Sequence, residues 1–156
     1  MIWDLLRRRL LIVTVDGHSM LPAYAPGDRL LVRRTPADRV RPGMPVVFRS
    51  PAGTPELSTI ADVADSSRVR RMLPDDRLLV KRVVAVAGDP VPARLSIADE
   101  HARVPPGSLV VLGDNPAVSY DSREFGFLDA ALVVGVAVRR LAGAPLSTDQ
   151  DAPMIG

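Results

Sequence analysis

Lys81 is the residue of this chain whose type and flanks best suit it to chemistry. Lys81 is the single lysine, and the other nineteen basic residues are arginines. A guanidinium stays protonated under any condition a protein meets, whereas a buried amine loses its proton at moderate cost. The lone amine in an arginine-rich chain therefore marks a place where a neutral nitrogen is useful. In the stretch LLVKRVVAVAG, residues 78–88, strand periodicity puts Leu79, Val83 and Ala85 on the face of Lys81. Val80, Val84 and Val86 cover the other face, together with Arg82. Desolvation on an apolar face favours the neutral amine, which describes a general base. The alternative is a lysine at the sheet margin that snorkels to water. A serine hydroxyl, a poor nucleophile at its free pKa, is the natural partner for such a base.

Ser19 sits in a loop of turn formers, DGHSMLPAYAPGD, residues 16–28. His18 beside it points the opposite way if the segment is extended, so it reads as a loop residue. With two histidines and no cysteine, there is little material for a histidine metal centre or a Ser-His-Asp triad, and none for a disulfide. A third polar locus is GDNPAVSYDSREFG, residues 113–126. On an extended segment Asp121 and Arg123 share a face and form an ion pair that fixes this loop. Asp114 and Asn115 are turn formers whose side chains bond their own backbone.

The elements that must position these loci read as β-structure. Fifteen prolines and eleven glycines punctuate short Val/Leu runs, and long helical periods are missing. The expected class is all-β, mostly antiparallel, with a short N-terminal helical turn and a long insertion. Strands are expected at 10–15, 29–33, 45–49, 78–88, 108–112 and 131–141, with a hairpin through 92–104. A chain of 156 residues fits one domain, here 1–142 with an insertion or flap at 50–77 and a disordered tail at 143–156. A formal charge of +2 gives no basic field for nucleic acid. Trp3, Leu6, Leu10 and Val13 recur at helical spacing beside Arg7, Arg8 and Arg9, which suits either a peripheral membrane contact through residues 1–13 or a helical turn leading into a strand. The apolar run after Arg9 is far short of the roughly 20 residues of a spanning helix, and no small-residue cleavage site follows. The expected location is peripheral at the membrane or cytoplasmic.

In chain order the three loci resemble the boxes of the signal peptidase I family, serine peptidases with a Ser-Lys dyad. Ser19-Met20-Leu21-Pro22 is similar to the nucleophile box Ser-Met-x-Pro, and Pro26-Gly27-Asp28 follows as in the family. Lys81 to Asp89, KRVVAVAGD, resembles the lysine box. Gly113-Asp114-Asn115 with Ser119, Asp121, Ser122, Arg123 and Gly126 resembles the last box at matching spacing. The resemblance implies Ser19 as nucleophile, Lys81 as general base and Ser119 as the residue that holds the lysine amine. It implies an oxyanion hole from the backbone N–H of Ser19 and of the residue two before it, Gly17, where some members carry a serine whose hydroxyl donates. Asp121, Arg123, Asp114 and Asn115 would support the site.

The implied substrate is a precursor protein, its signal or propeptide bound as an extended strand and cut after small residues, with Met20, Leu21 and Val80 as pocket walls. No metal or cofactor is implied. The expected lack of a membrane span departs from typical members. The last box is also similar to that of small peptidases proposed to trim nickel superoxide dismutase precursors. Two rival readings are a LexA-type self-cleaving regulator and a non-catalytic peptide-binding β domain. The first needs a cleavage segment ahead of the serine and does not carry the Asp-Ser-Arg box; the second leaves Ser19, Lys81 and Ser119 together without a use.

Overall fold

The computed structural model describes residues 9–51, 77–95, 97 and 102–141. The expected helical turn before Arg9, most of the 50–77 segment and the 143–156 tail lie outside the described residues. Seven strands form one sheet: β1 (Leu10–Thr14), β2 (Arg29–Arg33), β3 (Pro45–Arg49), β4 (Leu78–Val86), β5 (Ser108–Leu112), β6 (Leu128–Asp129) and β7 (Val133–Leu141). Their order is β1-β2-β7-β3-β4-β5-β6, every neighbouring pair is antiparallel, and the sheet curls into a half-barrel. The fold is all-β as the punctuated Val/Leu runs imply.

Alternation along the strands decides which side chains go inside. In β4, Leu79, Lys81, Val83 and Ala85 are buried and their neighbours are not. β3 is buried on both faces, because Val46 and Phe48 enter one apolar cluster with Leu79, Val83 and Val136, while Val47 enters another with Val15, Leu30 and Val32. Each such side chain, fully withdrawn from water, contributes roughly 1.5–3 kcal/mol. The curl also carries β1 toward β4, so that Leu11, Val13 and Val80 pack against the same cluster. Pro45 stands at the first position of β3, where the missing N–H is tolerated.

Strand ends depart from expectation where a side chain captures the backbone. β4 stops at Val86 because Asp89 accepts from the Val86 N–H (3.0 Å) and turns the chain. β7 begins at Val133 rather than at residue 131, since Asp129 caps a short 3-10 turn, Ala130–Leu132. The expected hairpin through 92–104 is reduced, among the described residues, to a bridge between Pro90 and Arg103 and a turn closed by Leu95 N–H on the Pro92 carbonyl. The segment 113–126, expected as loop throughout, contains the one-turn helix α1 (Ser122–Phe125).

Candidate active site

Lys81 lies on the inward face of β4 opposite Val46, and only 1% of its surface is exposed. Its chain does not snorkel out; the amine ends inside, with Nζ 2.6 Å from Ser19 Oγ. When the amine is charged it donates to the hydroxyl, and when it is neutral the hydroxyl donates to it. Burial pushes the Lys81 pKa from 10.5 down to about 8, with a contribution from the Arg123 charge, against the opposing carboxylates of Asp121, Glu124 and Asp114. An amine of that pKa is neutral in a useful fraction of molecules near neutrality.

Ser19 reaches Lys81 because the 16–28 loop is tied at its base and wound at its tip. The base is closed by Val15 N–H on the Asp28 carbonyl (2.8 Å) and Gly27 N–H on the Val15 carbonyl (2.9 Å). At the tip, Leu21 N–H reaches the His18 carbonyl (3.2 Å) and Tyr24 N–H the Met20 carbonyl (2.9 Å). Gly17 enters this turn at φ +88°, with nothing within 4 Å of where a side chain would begin. The residue there is glycine for its backbone conformation, which a side chain of either size would strain. His18 is exposed and serves through its carbonyl.

The 113–126 segment is built around the Asp121 carboxylate, which has no exposed surface. Its oxygens accept from Gly113 N–H (2.7 Å), Ser119 Oγ (2.6 Å), Arg123 N–H (3.1 Å) and the Arg123 guanidinium (2.9 and 2.5 Å). Burial alone would raise its pKa, but the bonds from Arg123, Gly113 and Ser119 outweigh it and hold the carboxyl below its ordinary value. Asp121 is also the N-cap of α1, in a capping box closed by Glu124 on the Asp121 N–H (2.9 Å). The expected Asp121–Arg123 pair therefore forms across a helix N-terminus rather than along an extended segment. Ser119 gives its proton to Asp121. Ser122 accepts from Val111 N–H (3.0 Å) and joins α1 to β5.

The other two expected supports reach across the fold instead of closing their own turn. Asp114 takes Arg82 in a two-pronged pair (2.8 and 2.7 Å), and Arg82 also donates to the Gly43 carbonyl (2.8 Å). Asn115 contacts the nucleophile turn twice, its N–H on the Ser19 carbonyl (2.9 Å) and its Nδ2 on the His18 carbonyl (3.1 Å). Gly113 lets the two loops meet, since a Cβ there would lie 2.1 Å from Ser119 Oγ and 2.7 Å from the Ser19 carbonyl oxygen. Arg82 and Gly113 stand in the lysine box and the last box but carry no expected role in the site, and Glu124 is not among the expected site residues. Asp-x-x-Glu ahead of a Phe is a capping signal for Glu124; the boxes mark the other two without saying what they bond.

Beside the two side chains runs an open cleft of about 460 Å³, walled by residues 13–16 on one side, by residues 77–81 on the other, and by Ser19 and Val47. Of the three expected pocket walls, Val80 lines this cleft. Met20 does not, because the nucleophile turn folds it inward to 1% exposure, and Leu21 is not among the lining residues.

The family profile described as "Signal peptidase, peptidase S26" matches residues 6–100 and 93–142. The chain belongs to the signal peptidase family. Signal peptidase I of Bacillus caldolyticus is 29% identical to it over 143 residues, covering 78% of this chain and 73% of that protein. This signal peptidase is a hydrolase and a peptidase of the signal peptidase I type, and its substrate is a precursor protein. Among the described residues no helix is long and apolar enough to cross a membrane.

Proposed function

We propose that this signal peptidase is a serine endopeptidase that cuts signal or propeptides with Ser19 as nucleophile and Lys81 as general base. The observation that carries the reading is the 2.6 Å approach of Lys81 Nζ to Ser19 Oγ, made by an amine whose pKa burial brings to about 8. Neutral Lys81 takes the Ser19 proton as Oγ bonds the scissile carbonyl carbon, and the carbonyl oxygen becomes an oxyanion. The tetrahedral species collapses, the C–N bond breaks, and the Lys81 ammonium returns the proton to the leaving amine. Water then attacks the acyl-enzyme, giving a proton to Lys81, which passes it to Ser19 Oγ as the new carboxyl terminus departs. The backbone N–H groups of Ser19 and Gly17 hold the oxyanion in each half-reaction. Ser119, expected to hold the lysine amine, instead gives its proton to Asp121 (2.6 Å), and among the described residues the Lys81 amine bonds Ser19 and not Ser119, so Ser119 acts on the amine through the carboxylate behind it.

The precursor lies extended in the cleft between residues 13–16 and 77–81, where β1 is an edge strand able to pair with it. Small residues precede the cut. A peptide-library digest read by mass spectrometry, wild type against Ser19→Ala, tests the reading: cuts after small residues that vanish in the variant are expected. Cuts that persist in Ser19→Ala would remove Ser19 from the chemistry. The same spectra address the self-cleaving alternative, in which the chain itself shortens at alkaline pH.

A further inference from the structure

The carbonyl oxygen of His18 and the N–H of Ser19 belong to one peptide unit. That unit is trans, the Leu21–Pro22 bond being the cis one among the described residues. In a planar trans peptide the C=O and the N–H point in opposite directions. Whatever holds the His18 carbonyl therefore aims the Ser19 N–H. Two donors hold it: Leu21 N–H from within the turn (3.2 Å) and Asn115 Nδ2 from the far loop (3.1 Å). The next carbonyl, that of Ser19, is held by the Asn115 backbone N–H (2.9 Å). Both faces of the nucleophile's backbone are thus fixed by one residue 96 positions away in sequence, counting from 19 to 115. Among the described residues the Ser19 N–H itself donates to no acceptor.

We infer that Asn115 is a positioning residue for the oxyanion hole: its side-chain amide pins the His18 carbonyl so that the Ser19 N–H stays aimed at the place where the oxyanion forms. The inference rests on the proposed role of Ser19. An oxyanion donor is useful only if its direction is fixed before the charge develops, since reorienting a peptide during reaction costs part of what the bond returns. Gly17 lacks a side-chain donor that would share the load, which makes the direction of the Ser19 N–H matter more. Among the described residues the Asn115 side chain bonds neither Lys81 nor residues 13–16 and 77–81 of the cleft; only its backbone N–H meets Ser19, and both variants below keep that bond, so the side chain's contribution is separable from proton transfer and from substrate binding.

Asn115→Asp keeps the shape and the backbone N–H but replaces the donating NH2 with an acceptor that repels the His18 carbonyl; Asn115→Ala removes the side chain without repulsion. The substrate is a peptide that the wild-type chain cleaves in the digest above. Loss of one oxyanion donor outright costs about 10²–10³ in kcat. Because Leu21 N–H still holds the carbonyl, kcat should fall roughly ten- to hundredfold, more for Asp than for Ala, with KM within about twofold. A peptide aldehyde of the same sequence adds Ser19 Oγ to its carbonyl and puts a negative oxygen in the same place. Its inhibition constant should rise by the factor lost in kcat/KM, and the pH midpoint of the rate should stay put. An unchanged kcat in both variants overturns the inference. So does a loss that moves KM or the pH midpoint, or that leaves aldehyde binding intact, because those are the marks of general loosening. Full cleavage by Ser19→Ala would instead overturn the reading of the site and this inference with it, while loss in Ser19→Ala with normal kcat in the Asn115 variants overturns the inference alone.

Discussion

If the neutral Lys81 amine is the base, the rate must follow its titration, and the carboxylate behind it must set where that titration falls. With a pKa of about 8, roughly one enzyme in ten carries the neutral amine at pH 7 and one in two at pH 8. kcat/KM should therefore rise about tenfold per pH unit from pH 5 to 7, bend near 8 and level off above 9. Asp121 is the largest influence holding the pKa up against burial, and Arg123 pushes it down. Asp121→Asn should move the midpoint to lower pH, and Arg123→Gln should move it to higher pH. The opposite signs matter, because general damage to the site would not produce them. Asp121→Asn also leaves Arg123 without its partner and should cost about 3 kcal/mol in urea unfolding, the low end for a buried pair because Arg123 remains 29% exposed. The same titration acts on stability. A folded pKa of about 8 against 10.5 unfolded means that the unfolded chain binds more protons between those values, so stability rises across that window, by roughly 3 kcal/mol in all. Lys81→Met should abolish cleavage and flatten that rise. The assay is cleavage of a quenched fluorescent peptide from pH 5 to 10, with urea melts at the same pH values. A wild-type profile flat from pH 5 to 9, or shifts of the same sign in the two variants, would refute the reasoning.

Three further outcomes follow from contacts around the site. Gly113→Ala should lower stability by about 1–3 kcal/mol and abolish cleavage, because the added methyl meets the Ser19 carbonyl at 2.7 Å and a backbone atom cannot rotate away; a urea midpoint equal to wild type would contradict it. Gly17→Ala should cost about 1–2 kcal/mol from backbone strain alone, since φ is +88° and the space is empty, and Gly17→Ser should cost the same rather than restore a hydroxyl donor; a stabilised serine variant would sink this. The Arg82–Asp114 pair, 32% and 18% exposed, should show a coupling of about 1 kcal/mol in a double-mutant cycle of Arg82→Gln with Asp114→Asn, shrinking in 1 M salt; zero coupling at low salt would mean that the fork only decorates the surface.

The parts of this protein that could be read in advance are those decided within a few residues. The spans 29–33, 45–49 and 108–112 are short apolar runs closed by Pro, Gly and Asp, and they form β2, β3 and β5 with those bounds. The face of Lys81 was readable because period-two alternation leaves its neighbours no other place to go. What could not be read is what the curl of the sheet brings together. Turn propensity sends Asp114 and Asn115 to their own backbone, yet their partners are Arg82 and His18, 32 and 97 residues away. Met20 follows the nucleophile and would suit a pocket, but the turn that lifts Ser19 toward Lys81 must put the next side chain on the opposite side, into the core. Helix α1 is one turn long and too short for any periodicity to declare it; its cap carried the signal. The same distinction separates the chemistry from its control. A hydroxyl and an amine can be found by residue type, but the direction of the Ser19 N–H depends on a carbonyl pinned from the far loop. A sequence that kept Ser19 and Lys81 and lost Asn115 would still look like a peptidase, and by the argument above it would turn over slowly at an unchanged pH midpoint.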